Sequence, residues 1–536
     1  MKKPAKPRQF DSRRSAVLAR HGMVATSQPS AAMAGLRVMM EGGNAADAAV
    51  TTAAMLNVVE PMSTGIGGDC FALIFESTTG QVTALNGSGR APAAFSLEEA
   101  QRRRLEAIPV DGPLPVTVPG ALSGWTALLD RFGSMALADC LAPAIDAAEA
   151  GFPVSQLISA AWQRAVDKLS RDQEATRVYL PPPEPGKLHR QPDLAGTLRT
   201  IGEGGAEAFY RGPLAEQIAA HVQAKGGYLT TEDLASHRVT WETAIGTTYR
   251  DVEVLEHPPN GQGLAALVAL NILEGYDVGS MDYFDPSRWH KMIEAMRLAM
   301  ADAARYVADP VVADVPVEAL LSKEYGAQRR RLIQADRVLE LALPGQPEHQ
   351  DTVYLTVVDA QGNAVSFINS LYYAFGSGLV VPGTGICLQN RGACFTLEPG
   401  HPNALGGGKR PYHTIIPAMV LREGRLWLSF GVMGGFMQPQ GHLQVLVNLV
   451  DYGLNPQAAL DAPRFRVDER GGPAVAIEEG VAPETRQALE VMGHDLRSEP
   501  TFSPGFGGGQ VIAVDPETGV LAGGSDPRKD GCAVGF

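Results

Sequence analysis

Cysteine is scarce in this chain: five in 536 residues, at positions 70, 140, 387, 394 and 532. They are far apart, form no CxxC pair and are odd in number. This argues against a disulfide framework and for a reducing, cytoplasmic setting. There is no HExxH, and no Cys/His set has zinc spacing, so neither a metal nor a cofactor is expected. No stretch reaches the roughly 18 uninterrupted apolar residues of a membrane-spanning helix. Positive charge is also short, with 45 Lys and Arg against 59 Asp and Glu and a formal net charge of −14. A chain without a basic face is a poor partner for nucleic acid. Basic residues do gather near the start (Lys2, Lys3, Lys6, Arg8, Arg13, Arg14, Arg20), but without the apolar core of a signal peptide. They are expected to form a solvated tail.

Glycine (59) and proline (38) are plentiful, so short elements and frequent turns are expected. "SQPSAAMAGLRVMMEGGNAADAAVTTAAMLNVVEP" predicts two helices, the first stopped by Gly42-Gly43 and the second capped by Asn44 with Asp47 three residues on. "CFALIFE" and "VTALNGSG" predict two strands around a turn. The middle third is more helical, as in "SRWHKMIEAMRLAMADAARYVADP". Further strands are predicted at 353–358, 364–369, 415–421, 426–430 and 509–514. The first two of these flank the turn sequence Asp359-Ala360-Gln361-Gly362-Asn363, a hairpin signature. "RLIQADRVLELALPGQPEHQ", residues 331–350, reads as an exposed connector leading into the first strand of that hairpin. No period of 20–50 residues marks a repeat protein. Helices mixed with hairpins favour an α+β fold or layered sandwich over a doubly wound parallel sheet.

Several glycine-rich segments imitate known motifs without completing them. "ALGGGKRP" has Asn403 where a phosphate loop needs its first glycine and Arg410 where it needs Ser or Thr. "NGSGR" lacks the leading glycine of GxSxG, and "GFGGGQV" is a weak dinucleotide lookalike. Thr352 is more informative. A threonine hydroxyl is a poor nucleophile without a base beside it. Cutting the Asp351–Thr352 bond would create one, because an α-amine titrates near 7.7–8.0 and accepts a proton at neutral pH. On its own, a threonine at a strand start is also an ordinary structural residue.

The chain resembles the γ-glutamyltransferase family of N-terminal nucleophile hydrolases along nearly its whole length. The matching segments are "GGNAADAAV" (42–50), "VVEPMSTGIGGDCFALI" (58–74), "VPGALSGW" (118–125), "EAMRLAMADAARYVADP" (294–310), "DTVYLTVVDAQGNAVSFI" (351–368), "GKRP" (408–411) and "GVMGGF" (431–436), in that order. The resemblance implies an α+β fold, a four-layer αββα sandwich made as one precursor. It also implies self-cleavage into a large chain, 1–351, and a small chain, 352–536, with Thr352 as nucleophile. Gly434 and Gly435 match the family's oxyanion-hole glycines. Thr356 and Ser370 occupy family hydroxyl positions and either orient the nucleophile or serve as plain strand residues.

The substrate positions depart from the family pattern. Where γ-glutamyl enzymes hold the substrate carboxylate with an arginine, this chain has Ser88, with Arg90 two residues on. The family's serine pair becomes His413-Thr414, its amine-binding aspartate becomes Cys394, a neighbouring polar residue becomes Arg391, and Tyr372 replaces an asparagine. Without the acidic partner a substrate ammonium is not rewarded. Arg391, with Arg90 or His413, could clamp a carboxylate instead. The altered motifs look most like the oxamate amidohydrolase branch, which implies a small-molecule amide substrate. A glutathione hydrolase or γ-glutamyl transferase, a β-lactam side-chain acylase and a non-enzymatic binding relative are the alternatives. The oligomeric state, including a homo-oligomer, stays open.

Overall fold

Two seven-stranded sheets, antiparallel throughout, lie face to face. The computed structural model describes residues 14–340, 350–468 and 471–536, the side chains of Gln350 and Asp351 excepted. The basic tail through residue 13 and the second half of the connector, 341–349, lie outside the described residues. The first half of the connector, 331–340, is exposed to half-buried and is tied down where Val338 N–H donates to Met492 O.

In one sheet the strands run in the order Cys532–Gly535, Met23–Thr26, Gln350–Val358, Ala364–Tyr373, Asp69–Glu76, Gln81–Gly87, Thr240–Thr243. In the other the order is Val17–Ala19, Leu521–Ser525, Gly508–Val514, Arg425–Met433, Ala418–Arg422, Val252–Glu256, Ile245–Tyr249. Both sheets therefore combine strands from before and after position 350.

The alternation of side chains along each strand produces the layers. In Gln350–Val358, Val353, Leu355 and Val357 face a helical layer that includes Pro29–Met40, Ala45–Val59, Ala121–Phe132 and Leu137–Ala150. Val358 faces the other way, with Met23, Leu73, Met419 and Ile512, and fills the space between the sheets. The second sheet turns Val254, Val420, Phe430 and Val511 outward against helices Gly263–Leu273, Pro286–Tyr306 and Met437–Val450. The result is the expected αββα order, an α+β fold of the N-terminal nucleophile hydrolase type.

Local signals hold as expected. Asn44 caps Ala45–Val59 in a capping box with Asp47, and the preceding helix ends at Met40, just before Gly42-Gly43. In the hairpin turn, Asp359 Oδ1 accepts from Gln361 N at 3.0 Å and Asn363 N at 2.9 Å, which closes the loop. The observed strands extend the predicted 353–358 and 364–369 to Gln350–Val358 and Ala364–Tyr373. The strand predicted from 415 begins instead at Ala418.

Candidate active site

Thr352 lies at an irregularity in the hairpin. Pairing passes from Asp351↔Tyr372 to Val353↔Asn369, so one residue on the first strand spans two on the second. The extra residue re-aims the end of the second strand, and Tyr372 there adopts a left-handed φ of 83°. Thr352 is fully buried, and its Oγ1 shares a hydrogen bond of 3.0 Å with Ser370 Oγ. Ser370 Oγ also accepts from Tyr372 N at 2.8 Å and from Arg391 Nη2 at 3.3 Å. The candidate nucleophile is thus one hydroxyl away from a guanidinium.

That guanidinium is fully buried. Its Nη1 donates to Thr414 Oγ1 at 2.7 Å, and the face of Tyr372 covers it with the ring centre 4.2 Å from Cζ. Among the described residues no carboxylate forms an ion pair with Arg391, and its Nε–H has no hydrogen-bond partner. Burying an unpaired cation costs several kcal/mol. Hydroxyls, an aromatic face and the nearby Asp69 carboxylate offset part of that cost.

Gly434 and Gly435 follow the end of strand Arg425–Met433, with φ values of 125° and 57°. A side chain at Gly434 would meet the Cα of Gly507 at 3.0 Å, so both conformation and space call for glycine. Their carbonyls accept from Met437 N and Gln438 N, and no hydrogen bond among the described residues takes up either N–H. Gln262 ties this turn to the arginine site: its Nε2 donates to Gly435 O at 2.8 Å and to Thr414 O at 2.7 Å. Tyr412 Oη donates to Gln262 Oε1 at 2.9 Å and fixes the amide's orientation.

The remaining expected residues sit differently. Thr356 donates to Ser429 Oγ on the facing sheet at 2.6 Å and belongs to the seam between the sheets. Arg90 pairs with Asp309 at 3.4 Å, and the same carboxylate oxygen accepts Arg410 N. Arg90 therefore braces the "GKRP" segment rather than joining Arg391. His413 is fully buried, and its Nε2 lies 3.0 Å from Asp69 Oδ2. Burial, with Arg391, His257 and Arg410 nearby, holds its pKa well below the usual histidine value.

Asp69 was not singled out in the sequence. It starts strand Asp69–Glu76 and is fully buried. Its Oδ1 accepts from Gln389 Nε2 at 2.8 Å and from Gly89 N at 2.9 Å. Burial raises its pKa to about 6, against the opposing pull of Arg391 and the Gln389 hydrogen bond. A carboxylate set between glycines and an apolar strand in "GGDCF" was the available signal.

Comparison with known proteins identifies the framework. The family model described as gamma-glutamyltranspeptidase matches residues 31–536. The chain belongs to the γ-glutamyltranspeptidase family. Within it, a glutathione hydrolase-like YwrD proenzyme of Bacillus subtilis is 39% identical over 523 residues, 96% of this chain and 98% of the relative. An oxamate amidohydrolase proenzyme of Klebsiella pneumoniae is 36% identical over 529 residues, 96% of this chain and 98% of the relative. The crystal structure of a cephalosporin acylase from Bacillus halodurans superposes with a TM-score of 0.92 at 47% identity, covering 100% of this chain and 99% of that one. These γ-glutamyltranspeptidase relatives share the architecture but carry different substrates in their names.

Proposed function

We propose that this γ-glutamyltranspeptidase-family enzyme cuts itself between Asp351 and Thr352. It then hydrolyses a small amide whose acyl group bears a carboxylate and no α-ammonium, oxamate being the simplest such molecule. The released α-amine of Thr352 takes the hydroxyl proton as Oγ1 attacks the amide carbon. The N–H groups of Gly434 and Gly435 receive the charge that develops on the carbonyl oxygen. The proton passes to the departing nitrogen, leaving an acyl ester on Thr352. Water, deprotonated by the same amine, then frees the acid.

The observation that carries the substrate class is the buried Arg391 guanidinium, with no carboxylate paired to it among the described residues. It lies one hydroxyl from Thr352 Oγ1 through Ser370. A carboxylate entering beside Thr352 supplies the missing charge, whereas an ammonium meets repulsion, with Cys394 standing where the γ-glutamyl enzymes place an acid. The name of the Bacillus subtilis relative favours a second reading, glutathione hydrolysis.

Purified protein should run as two associated fragments split before Thr352. Thr352→Ala should remain a single inactive chain. Comparing kcat/KM for oxamate, a glutaryl amide and glutathione decides between the readings: a carboxylated amide without an α-amine should lead by roughly one to two powers of ten, the worth of one charge-assisted hydrogen bond. A clear preference for glutathione would reject the proposed class.

A further inference from the structure

We infer that Asp69 is a positioning residue of this site, holding His413 and Gln389 so that the anion clamp of Arg391 and Thr414 keeps its geometry. The inference rests on the reading of Arg391 as the carboxylate clamp. Asp69 lies 344 positions from His413 and 320 from Gln389, yet one buried carboxylate joins both. Gln389 is two residues before Arg391, and His413 is immediately before Thr414. The two segments that carry the clamp are therefore fastened to the same anchor.

The histidine tautomer follows from its other contacts. Its Nδ1 accepts from Ile415 N at 3.4 Å, so Nε2 carries the proton and donates to Asp69. The His413 backbone is also fixed, its N–H donating to Asn260 O at 2.9 Å and its carbonyl accepting from Gln262 N at 3.0 Å. The phenyl ring of Phe71 lies 4.8 Å from the imidazole, centre to centre, which limits sideways movement. With donors from Gly89, Gln389 and His413 directed at it, the Asp69 carboxylate is arranged to be held as an anion.

The charged and titratable groups around it are Arg391, Arg410, His413, Cys70 and Tyr210. The two arginines favour the ionised form and burial opposes it. Protonation would spend one carboxyl oxygen as a donor and leave His413 or Gln389 facing an O–H. The acid limb of substrate binding should accordingly fall near pH 6, where Asp69 titrates.

The experiment is a comparison of wild type, Asp69→Asn and His413→Gln on glutaryl p-nitroanilide and on its uncharged carboxamide counterpart, from pH 5 to 8. Asparagine is isosteric with aspartate and can keep an oxygen toward Gln389 Nε2 and Gly89 N while its amide nitrogen faces the His413 Nε2–H, so Asp69→Asn should fold and cleave itself but lose the bond to the histidine. A clamp on a remote carboxylate acts alike on ground and transition states, so its loss appears in KM. Asp69→Asn should raise KM for the carboxylated amide about tenfold, the low end of a charge-assisted hydrogen bond, with kcat little changed. KM for the uncharged amide should stay as in wild type, and the rise in KM below pH 6 should vanish. His413→Gln should raise the same KM.

Wild-type KM and wild-type preference in both variants would overturn the inference. So would unfolding of both, read as collapse of Tm, because the pair would then serve stability alone. A wild type with no preference for the carboxylated amide defeats the proposed substrate class and this inference together. A wild type that shows the preference, with an Asp69→Asn protein that keeps it, defeats this inference only.

Discussion

Two of the places where this molecule buries arginine treat the charge in opposite ways. Near the C-terminus, Arg528 meets Glu478 and Asp526, while Arg464 meets the other oxygen of Asp526 at 2.6 Å. Two cations face two carboxylates, and backbone carbonyls of Leu460, Ala462 and Phe506 take up further N–H groups. Burial alone would raise the pKa of Asp526, but the two arginines more than offset it and the net direction is down. At Thr352 the guanidinium of Arg391 has hydroxyls and a tyrosine face as its direct partners, and the Asp69 carboxylate acts on it only through space. The first arrangement is a structural joint; under the proposed function, Arg391 takes its direct counter-charge from the substrate.

The contrast is broken most severely by Arg528→Met. It strands Glu478 inside the protein, and losing one partner of a buried pair costs about 3–5 kcal/mol. Urea unfolding should show a large drop in midpoint, with the Thr352 site still competent in whatever remains folded. Arg391→Met should do the reverse. Removing a buried cation that forms no ion pair among the described residues should cost the fold far less than breaking the Arg528 pairs, while kcat/KM for the carboxylated amide falls roughly ten- to a hundredfold. Equal loss of stability in both variants would erase the distinction.

The smallest effect is with pH. His237 and His494 are buried, and burial depresses both to about 3. A depressed folded-state value means that stability from the neutral form is fully present above the ordinary value of about 6.5 and is lost as pH falls toward about 3. Tm should hold from pH 8 to 7 and decline between pH 6 and 4. Asp526, shifted downward by its two arginines, stays ionised across that window in the wild type, so the decline there belongs to the buried histidines.

Much of this arrangement was legible in the chain, and the limits have physical causes. The hairpin around Thr352 could be read because strand alternation and turn chemistry are local, as could the Asn44 cap. Arg391, Tyr372 and Thr414 came from departures within aligned motifs, and they do meet. Thr356 and Arg90 were read by position alone, and position does not reveal that Ser429 or Asp309 lies closer. Asp69 escaped notice because an aspartate at a strand start is unremarkable until folding brings His413 and Gln389 to it. The strand predicted to begin at 415 starts at Ala418 because the residues before it are engaged by side chains: Gln438 Oε1 accepts from Ile416 N at 2.9 Å, and Ile415 N donates to His413 Nδ1.

The mixed strand order carries a consequence for the life history of the protein. Strands on either side of position 350 meet in five ladders: Met23–Thr26 with Cys532–Gly535 and with Gln350–Val358, Asp69–Glu76 with Ala364–Tyr373, Val17–Ala19 with Leu521–Ser525, and Val252–Glu256 with Ala418–Arg422. While the backbone is continuous, all five can form within one molecule, at no cost in finding a partner. Once the Asp351–Thr352 bond is cut, as proposed, renaturation becomes a second-order encounter between two incomplete pieces, each exposing open sheet edges prone to aggregation. The covalent link would then serve as an assembly aid used once. The mature enzyme would owe its persistence to the slowness of unfolding, not to any capacity to recover from it.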